Sequence, residues 1–145
     1  HLGVAFATPA DIASASDQHG LGQHDLVFHT SATSGGLATA IDLAGFEATI
    51  LELSWYGESV VHAPLGGAFH ARRLKLVTSQ VGEVAPSRRA RYNHKARSEL
   101  ALGLLADARL DALLAPSIAL DDLPRHLPNV LAPRSGILCQ VVSYA

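Results

Sequence analysis

Two short runs of bulky apolar residues, joined by a glycine-bounded helical segment, limit the folds open to this chain. The segment Asp25-Leu-Val-Phe-His-Thr30 carries Leu26, Val27 and Phe28 in unbroken succession. The segment Ala48-Thr-Ile-Leu-Glu-Leu-Ser54 carries Thr49, Ile50, Leu51 and Leu53 and breaks at Trp55-Tyr-Gly57. Short continuous runs of this kind read as strands covered on both faces. Between them, Leu37, Ile41 and Ala44 fall at helical spacing, and Gly45 stands where a helix should stop. Strand, helix and strand at this spacing predict parallel strands joined by right-handed crossovers, so the expected class is α/β.

The flanking segments extend the pattern. Residues 4–7 (Val-Ala-Phe-Ala) form a strand candidate, and Thr8-Pro9-Ala10-Asp11 then offers a cap and a proline in the first turn of a helix. Downstream, Leu74, Leu76 and Thr78 alternate with Arg73, Lys75 and Val77, which predicts a strand with one wet face. Pro86-Ser87 opens a long helix expected to reach about Ala106, its apolar stripe supplied by Ala96, Leu100, Leu104 and Leu105. Residues 110–120 read as extended, Asp121-Asp122 as a helix cap, and Pro124 and Pro128 as limits on the helix that follows. Residues 137–144, after the Ser135-Gly136 turn, read as a final strand.

Composition narrows function more than it defines it. With 145 residues, 48% of them apolar and 17% charged, the chain has the makings of a packed core. A net charge of -2 argues against a surface built for nucleic acid or an anionic membrane. No apolar run approaches the roughly 18 to 20 residues of a membrane-spanning helix. The single cysteine, Cys139, has no partner within the chain for a disulfide, and a reducing, cytoplasmic setting is expected. The opening His1-Leu2-Gly3-Val4, without Met, reads like a helix ending at glycine and entering a strand, which is unusual for a natural start.

Motifs that carry chemistry are few. His19, His24 and His29 are spaced by five, which supports no shared metal on a helix or a strand. Gly20-Leu-Gly22 precedes a strand instead of following one and lacks a third glycine, so it is no dinucleotide turn. Ser34-Gly35-Gly36 before a helix offers backbone N–H groups to an anion, although ordinary capping accounts for it more simply. The basic run Arg88, Arg89, Arg91, Lys95 and Arg97 reads as a solvated face, since no nucleic-acid motif accompanies it. Trp55 and Tyr56 stand at a strand exit, where they serve either a ligand or the core. Cys139 reads as a small buried apolar residue and not as a nucleophile.

The order of these pieces resembles the C-terminal half of zinc-containing alcohol dehydrogenases and their medium-chain relatives. The likeness lies in residues 25–57 and 72–82, the long helix, the 110–120 segment, the Leu120-Asp-Asp-Leu123 turn and Ser135-Gly136 before the last strand. It implies an incomplete Rossmann-type parallel sheet, strands three to six of the family order, plus the C-terminal segment of a catalytic domain. Residues 4–7 would be strand three, 26–30 strand four, 49–54 strand five and 74–80 strand six. Residues 1–82 would then complete the nucleotide-binding domain, and 83–145 would return to the catalytic domain.

The resemblance further implies NAD or NADP as coenzyme and an alcohol or carbonyl compound as substrate. It places the phosphate-binding glycine turn and the zinc ligands upstream of His1, in an N-terminal half this chain lacks. Carried over residue by residue, the coenzyme contacts fall on Thr30 and Ser31, Leu53 and Ser54, and Thr78 and Gln80, chiefly through backbone groups. No catalytic residue and no metal ligand is carried over. Where many relatives set a basic residue against the pyrophosphate, this chain reads Ser135-Gly-Ile-Leu-Cys-Gln140 and departs from the pattern. A homodimer through the strand from Arg72 to Gln80 is implied as well. Two other readings stay open: a zinc-free quinone or enoyl reductase, and a non-catalytic nucleotide-binding or dimerisation module.

Overall fold

The structure, a computed structural model, describes residues 6–14 and 24–144. The chain divides into two compact units between Glu83 and Val84.

The first unit opens with helix α1, Pro9–Ser14. Its start is a reciprocal cap: the Asp11 amide donates to Thr8 Oγ1 (3.2 Å), while Asp11 Oδ2 accepts from the Thr8 amide (2.9 Å) and hydroxyl (2.6 Å). The strand expected over residues 4–7 does not form in its described part, since Phe6 and Ala7 have no regular structure. Val4 and Ala5 lie outside the described residues.

The unit is built on a parallel sheet of β1 (His24–His29), β2 (Ala44–Glu52) and β3 (Lys75–Thr78), in the order β1-β2-β3. Leu26, Val27, Phe28 and His29 pair with Thr49, Ile50, Leu51 and Glu52, and those four β2 residues pair on their other side with Lys75, Leu76, Val77 and Thr78. The two apolar runs are therefore adjacent parallel strands. Helix α2, Ser34–Leu43, connects them, and α3, Gly67–Ala71, precedes β3. Leu37, Ala40 and Ile41 of α2 meet Ala44, Ala48, Ile50 and Leu74 in one buried cluster, with Val27 and Phe69 packed against it.

The strands alternate, so this cluster takes Val27 and Ile50 and leaves the opposite set outside. Phe28 is 59% exposed and Leu26 51%. Coverage of both faces, expected from the unbroken runs, is thus met on one face only among the described residues. The expected helix stop at Gly45 is also displaced. Ala44 is already extended (φ -71°, ψ 131°) and donates its N–H to the Ala40 carbonyl, so β2 begins immediately where α2 ends. Register between β1 and β2 shifts between His24 and Leu26, beside Glu47 at φ 58°. Arg72 secures this junction, donating from one guanidinium nitrogen to the carbonyls of Asp42 and Ala44, each at 3.0 Å.

The second unit carries α4 (His94–Leu104), β4 (Leu114–Ala119), α5 (Leu123–Val130) and β5 (Cys139–Ser143). The long helix expected from Pro86 is interrupted. Residues Pro86–Arg88 form a 3-10 turn, and α4 starts only at Asn93, an extended residue whose side chain accepts from the Ala96 amide at 2.9 Å. The stripe of Leu100, Leu104 and Leu105 is exposed. Lys95 pairs with Glu99 one turn on (2.7 Å), and the Arg89 guanidinium donates to the Val84 carbonyl (2.8 Å).

The segment read as extended over 110–120 splits in two, a 3-10 helix at Ala108–Leu113 and then β4. Asp107 causes the split by accepting from the Arg109 amide and guanidinium. Asp122 precedes α5 without a side-chain cap bond, and Pro128 lies inside that helix. β4 and β5 are parallel, and Gln140 Nε2 donates to the Pro116 carbonyl at 2.7 Å. Cys139 is exposed, not buried, because it opens an edge strand of a two-stranded sheet. Val84 is the one buried residue described in this unit. Among the described residues of the chain no helix is long and apolar enough to cross a membrane.

Candidate site at the strand ends

A polar cluster forms where β1 and β2 end. His29 closes β1 and Glu52 closes β2 in register with it, and both side chains turn to the α2 side of the sheet. They are 4% and 8% exposed, the two buried polar residues among those described, in a core of aliphatic ones. His29 Nδ1 lies 2.7 Å from Glu52 Oε2, and His29 Nε2 lies 2.8 Å from Ser31 Oγ. Glu52 Oε1 accepts from the Ser54 amide at 2.8 Å, and Oε2 also accepts from the Tyr56 hydroxyl at 3.0 Å. The Tyr56 ring stacks with the His29 ring at 6.3 Å between centroids.

Burial acts against the charge of Glu52, yet its pKa is lowered, because hydrogen bonds from Ser54, His29 and Tyr56 together outweigh that desolvation. The same burial, and then the neighbouring Glu52, raise the pKa of Tyr56 and keep its hydroxyl a donor. An ionised carboxylate only accepts, so the proton between it and His29 sits on Nδ1. In the neutral ring Nε2 is then an acceptor, and the Ser31 hydroxyl donates to it.

The turn from β1 into α2 is shaped around this cluster. Ala32 adopts φ 51°, a left-handed conformation costly for a residue with a Cβ, and its amide donates to Ser54 Oγ at 3.0 Å. Thr33 caps α2, its hydroxyl oxygen accepting from the Gly36 amide at 3.0 Å and lying 3.0 Å from Ser31 Oγ. Gly36 is needed for room: a Cβ there would stand 1.9 Å from Ser31 Oγ and 2.9 Å from His29 Nε2. The hydroxyl of Ser34 is occupied by the His62 amide (3.1 Å).

Of the six residues expected to meet a coenzyme, Ser31 and Ser54 lie together around His29, whereas Thr30 and Leu53 are exposed at the ends of their strands. Thr78 ends β3 opposite Glu52, and the Ser79 amide continues the ladder to the Glu52 carbonyl at 2.9 Å. The Gln80 side chain turns back on its own loop, accepting from the Gly82 amide. Tyr56 joins the cluster while Trp55 is 87% exposed, so the two aromatic neighbours have separate surroundings. Sequence reasoning does not single out His29 and Glu52 as site residues. Their signal is present as two polar residues at the ends of otherwise apolar strands. His24 begins β1 and His29 ends it, far from a shared ligand geometry, and His19 lies outside the described residues. Among the described residues no three His, Cys, Asp or Glu side chains converge as a metal site would require.

The arrangement is that of an open α/β sheet with a polar cluster at the trailing ends of parallel strands, where sheets of this class receive ligands. No family model matches the chain, and no curated protein matches it in sequence. Among solved structures it is similar to 2R,3R-butanediol dehydrogenase from Bacillus subtilis, with a TM-score of 0.70 and 17% identity over 97% of this chain. The chain spans 38% of that protein's length. What the two share is the fold.

Proposed function

We propose that this chain is part of an alcohol dehydrogenase-like oxidoreductase that transfers a hydride between NAD(P) and an alcohol or carbonyl substrate. The reading is supported by the parallel order β1-β2-β3, in which Thr30 and Ser31, Leu53 and Ser54, and Thr78 and Gln80 stand at or just beyond the ends of adjacent strands. Its fold-level likeness to a dehydrogenase supports it. On this view the first unit is the second half of a nucleotide-binding domain, its strands four, five and six in the family order. The second unit is the segment returning to the catalytic domain. With one buried residue among those described, that unit has the burial of a piece completed by other residues.

The residues present fit the nicotinamide end of a coenzyme. The hydroxyls of Thr30, Ser31, Ser54 and Thr78 are neutral and polar, as are a ribose and a carboxamide. When bound, the coenzyme supplies or accepts the hydride. The chain's own part is to hold that end: the Glu52–His29 pair fixes Ser31 and Ser54, and exposed Trp55 offers an apolar surface beside them. Among the described residues no three His, Cys, Asp or Glu side chains are grouped as a zinc site would need. A homodimer through the edge strand from Arg72 to Gln80 belongs to the same proposal.

A second reading, a non-catalytic nucleotide-binding or dimerisation module, is favoured in its dimerisation form by the open sheet face at Leu26 and Phe28. Calorimetric titration of the 145-residue chain with NADH and NADPH separates the coenzyme reading from a dimerisation module. The oxidoreductase reading expects saturable binding, weakened by Ser31→Ala and Ser54→Ala. Absence of binding to either coenzyme would overturn it for this chain.

A further inference from the structure

We infer that His29 is a positioning residue that sets the hydrogen-bond polarity of the Ser31 hydroxyl. The ligand group matched to that hydroxyl is a neutral donor, a hydroxyl or an amide N–H, and not an anion. The second half of this inference rests on the coenzyme reading above; the first stands on the geometry alone.

Glu52 receives three donors, from His29 Nδ1, the Ser54 amide and the Tyr56 hydroxyl, and has no proton to give. With the ring neutral, a proton on Nδ1 leaves Nε2 bare, and the proton of Ser31 is then spent on Nε2 at 2.8 Å. The Thr33 hydroxyl oxygen already accepts from the Gly36 amide, and its own proton points to Ser31 Oγ at 3.0 Å. Every proton in the chain from Thr33 through Ser31 to His29 therefore runs inward toward Glu52. What Ser31 keeps for a ligand is a lone pair.

Two neighbouring features bear on an anion. At the start of α2, the usual place for one, the Gly36 and Leu37 amides are already bound to the Thr33 hydroxyl and carbonyl oxygens, which takes two of the first amides out of an anion's reach. The carboxylate of Glu52, one imidazole ring behind Ser31, repels a second negative charge. A ribose hydroxyl or a carboxamide N–H meets the remaining lone pair without such a cost.

The experiment uses the full 145-residue chain with 15N-labelled histidine, together with His29→Asn, His29→Gln and Ser31→Ala. Two-bond proton–nitrogen spectra should show His29 protonated at Nδ1 and bare at Nε2; the opposite tautomer or a doubly protonated ring overturns the inference. The asparagine amide stands where Nδ1 was and keeps the Glu52 contact while losing Ser31. The glutamine oxygen reaches Ser31. NADH binding should weaken about fivefold to tenfold in His29→Asn and in Ser31→Ala, the worth of one hydrogen bond, with no further loss in the double variant. His29→Gln should recover most of it. Equal weakening by Gln and Asn in folded protein, or displacement of NADH by inorganic phosphate with a shift at the Ser31 amide, overturns it. Should the wild-type chain bind no NADH, the coenzyme reading fails, while the tautomer still decides whether His29 governs Ser31.

Discussion

His29 and Glu52 face each other across the last paired position of two parallel strands, imidazole Nδ1 to carboxylate Oε2 at 2.7 Å. The pair continues by side chains the cross-strand bonding that the backbone is about to give up. It also converts an apolar core into a polar mouth within one residue, since Val27 and Ile50 lie on the same face two positions earlier. A buried pair of this kind adds little net stability when intact and is costly to break from one side, so its effects should show in variants and in pH.

Acid is the first test. The carboxyl of Glu52 titrates below its ordinary value of 4.5 in the folded chain. A depressed carboxylate contributes stability above the unfolded value, and that contribution fades as pH falls through the folded one. Urea unfolding midpoints, followed by circular dichroism, should therefore lose this contribution only below about pH 4.5. Glu52→Gln should flatten that part of the acid limb while lowering stability at neutral pH, because its amide cannot serve all three donors. An unchanged acid limb in Glu52→Gln would contradict the assignment.

The two adjacent glycines that start α2 should respond in opposite ways. A methyl group added at Gly35 would meet nothing within 4 Å, so Gly35→Ala should gain about 0.5 to 1 kcal/mol from lower chain entropy and better helix propensity. Gly36→Ala drives a methyl into Ser31 Oγ and His29 Nε2. The Ser31 side chain can rotate away only by losing its bond to His29, and a loss of about 1 to 3 kcal/mol is expected. Chemical denaturation of both variants checks the contrast; equal effects would show that the turn is not packed as described.

How far the fold and the site are legible in sequence depends on whether the signal is local. Leu26 to Phe28 and Thr49 to Leu53 declare adjacent parallel strands because apolar runs with a helix between them admit few alternatives. The same runs mislead about coverage: Phe28 and Leu26 are apolar but exposed, and no local feature reports what lies opposite a sheet face. The start of α4 is misplaced from sequence because Pro86 is a strong signal for a first turn, while the Asn93 cap that governs the helix sits seven residues on. Ser31 and Ser54 stand out through the resemblance. His29 does not, since its role depends on Glu52, 23 residues away, and such a meeting is visible only once register is known.

Arg72 offers a test of the junction between α2 and β2. One guanidinium nitrogen serves two carbonyls, of Asp42 in the last turn of α2 and of Ala44 at the start of β2. Removing the donor in Arg72→Ala should cost about 1 to 3 kcal/mol, the range for a half-buried acceptor left unsatisfied. Arg72→Lys should restore part of this, because its ammonium also donates but sits on a shorter side chain than the guanidinium nitrogen it replaces. Thermal unfolding in parallel with wild type decides it, and an Arg72→Ala variant as stable as wild type would remove the staple from the account.

The proposed homodimer is tested at β3, the outer strand of the sheet, whose residues Lys75 to Thr78 are all exposed. An exposed edge presents unpaired backbone groups, and an antiparallel twin strand across a two-fold axis would satisfy them. Such an arrangement brings the same residues of both copies close together, so a charge placed there meets its own like across the axis. Sedimentation velocity of the chain should show a species heavier than its 15.2 kDa monomer, shifting to the monomer in Val77→Lys. Phe28→Lys, on the far strand of the same sheet, serves as the control. If Phe28→Lys dissociates the assembly and Val77→Lys does not, association runs through the β1 side and its open apolar face, and the β3 dimer is wrong.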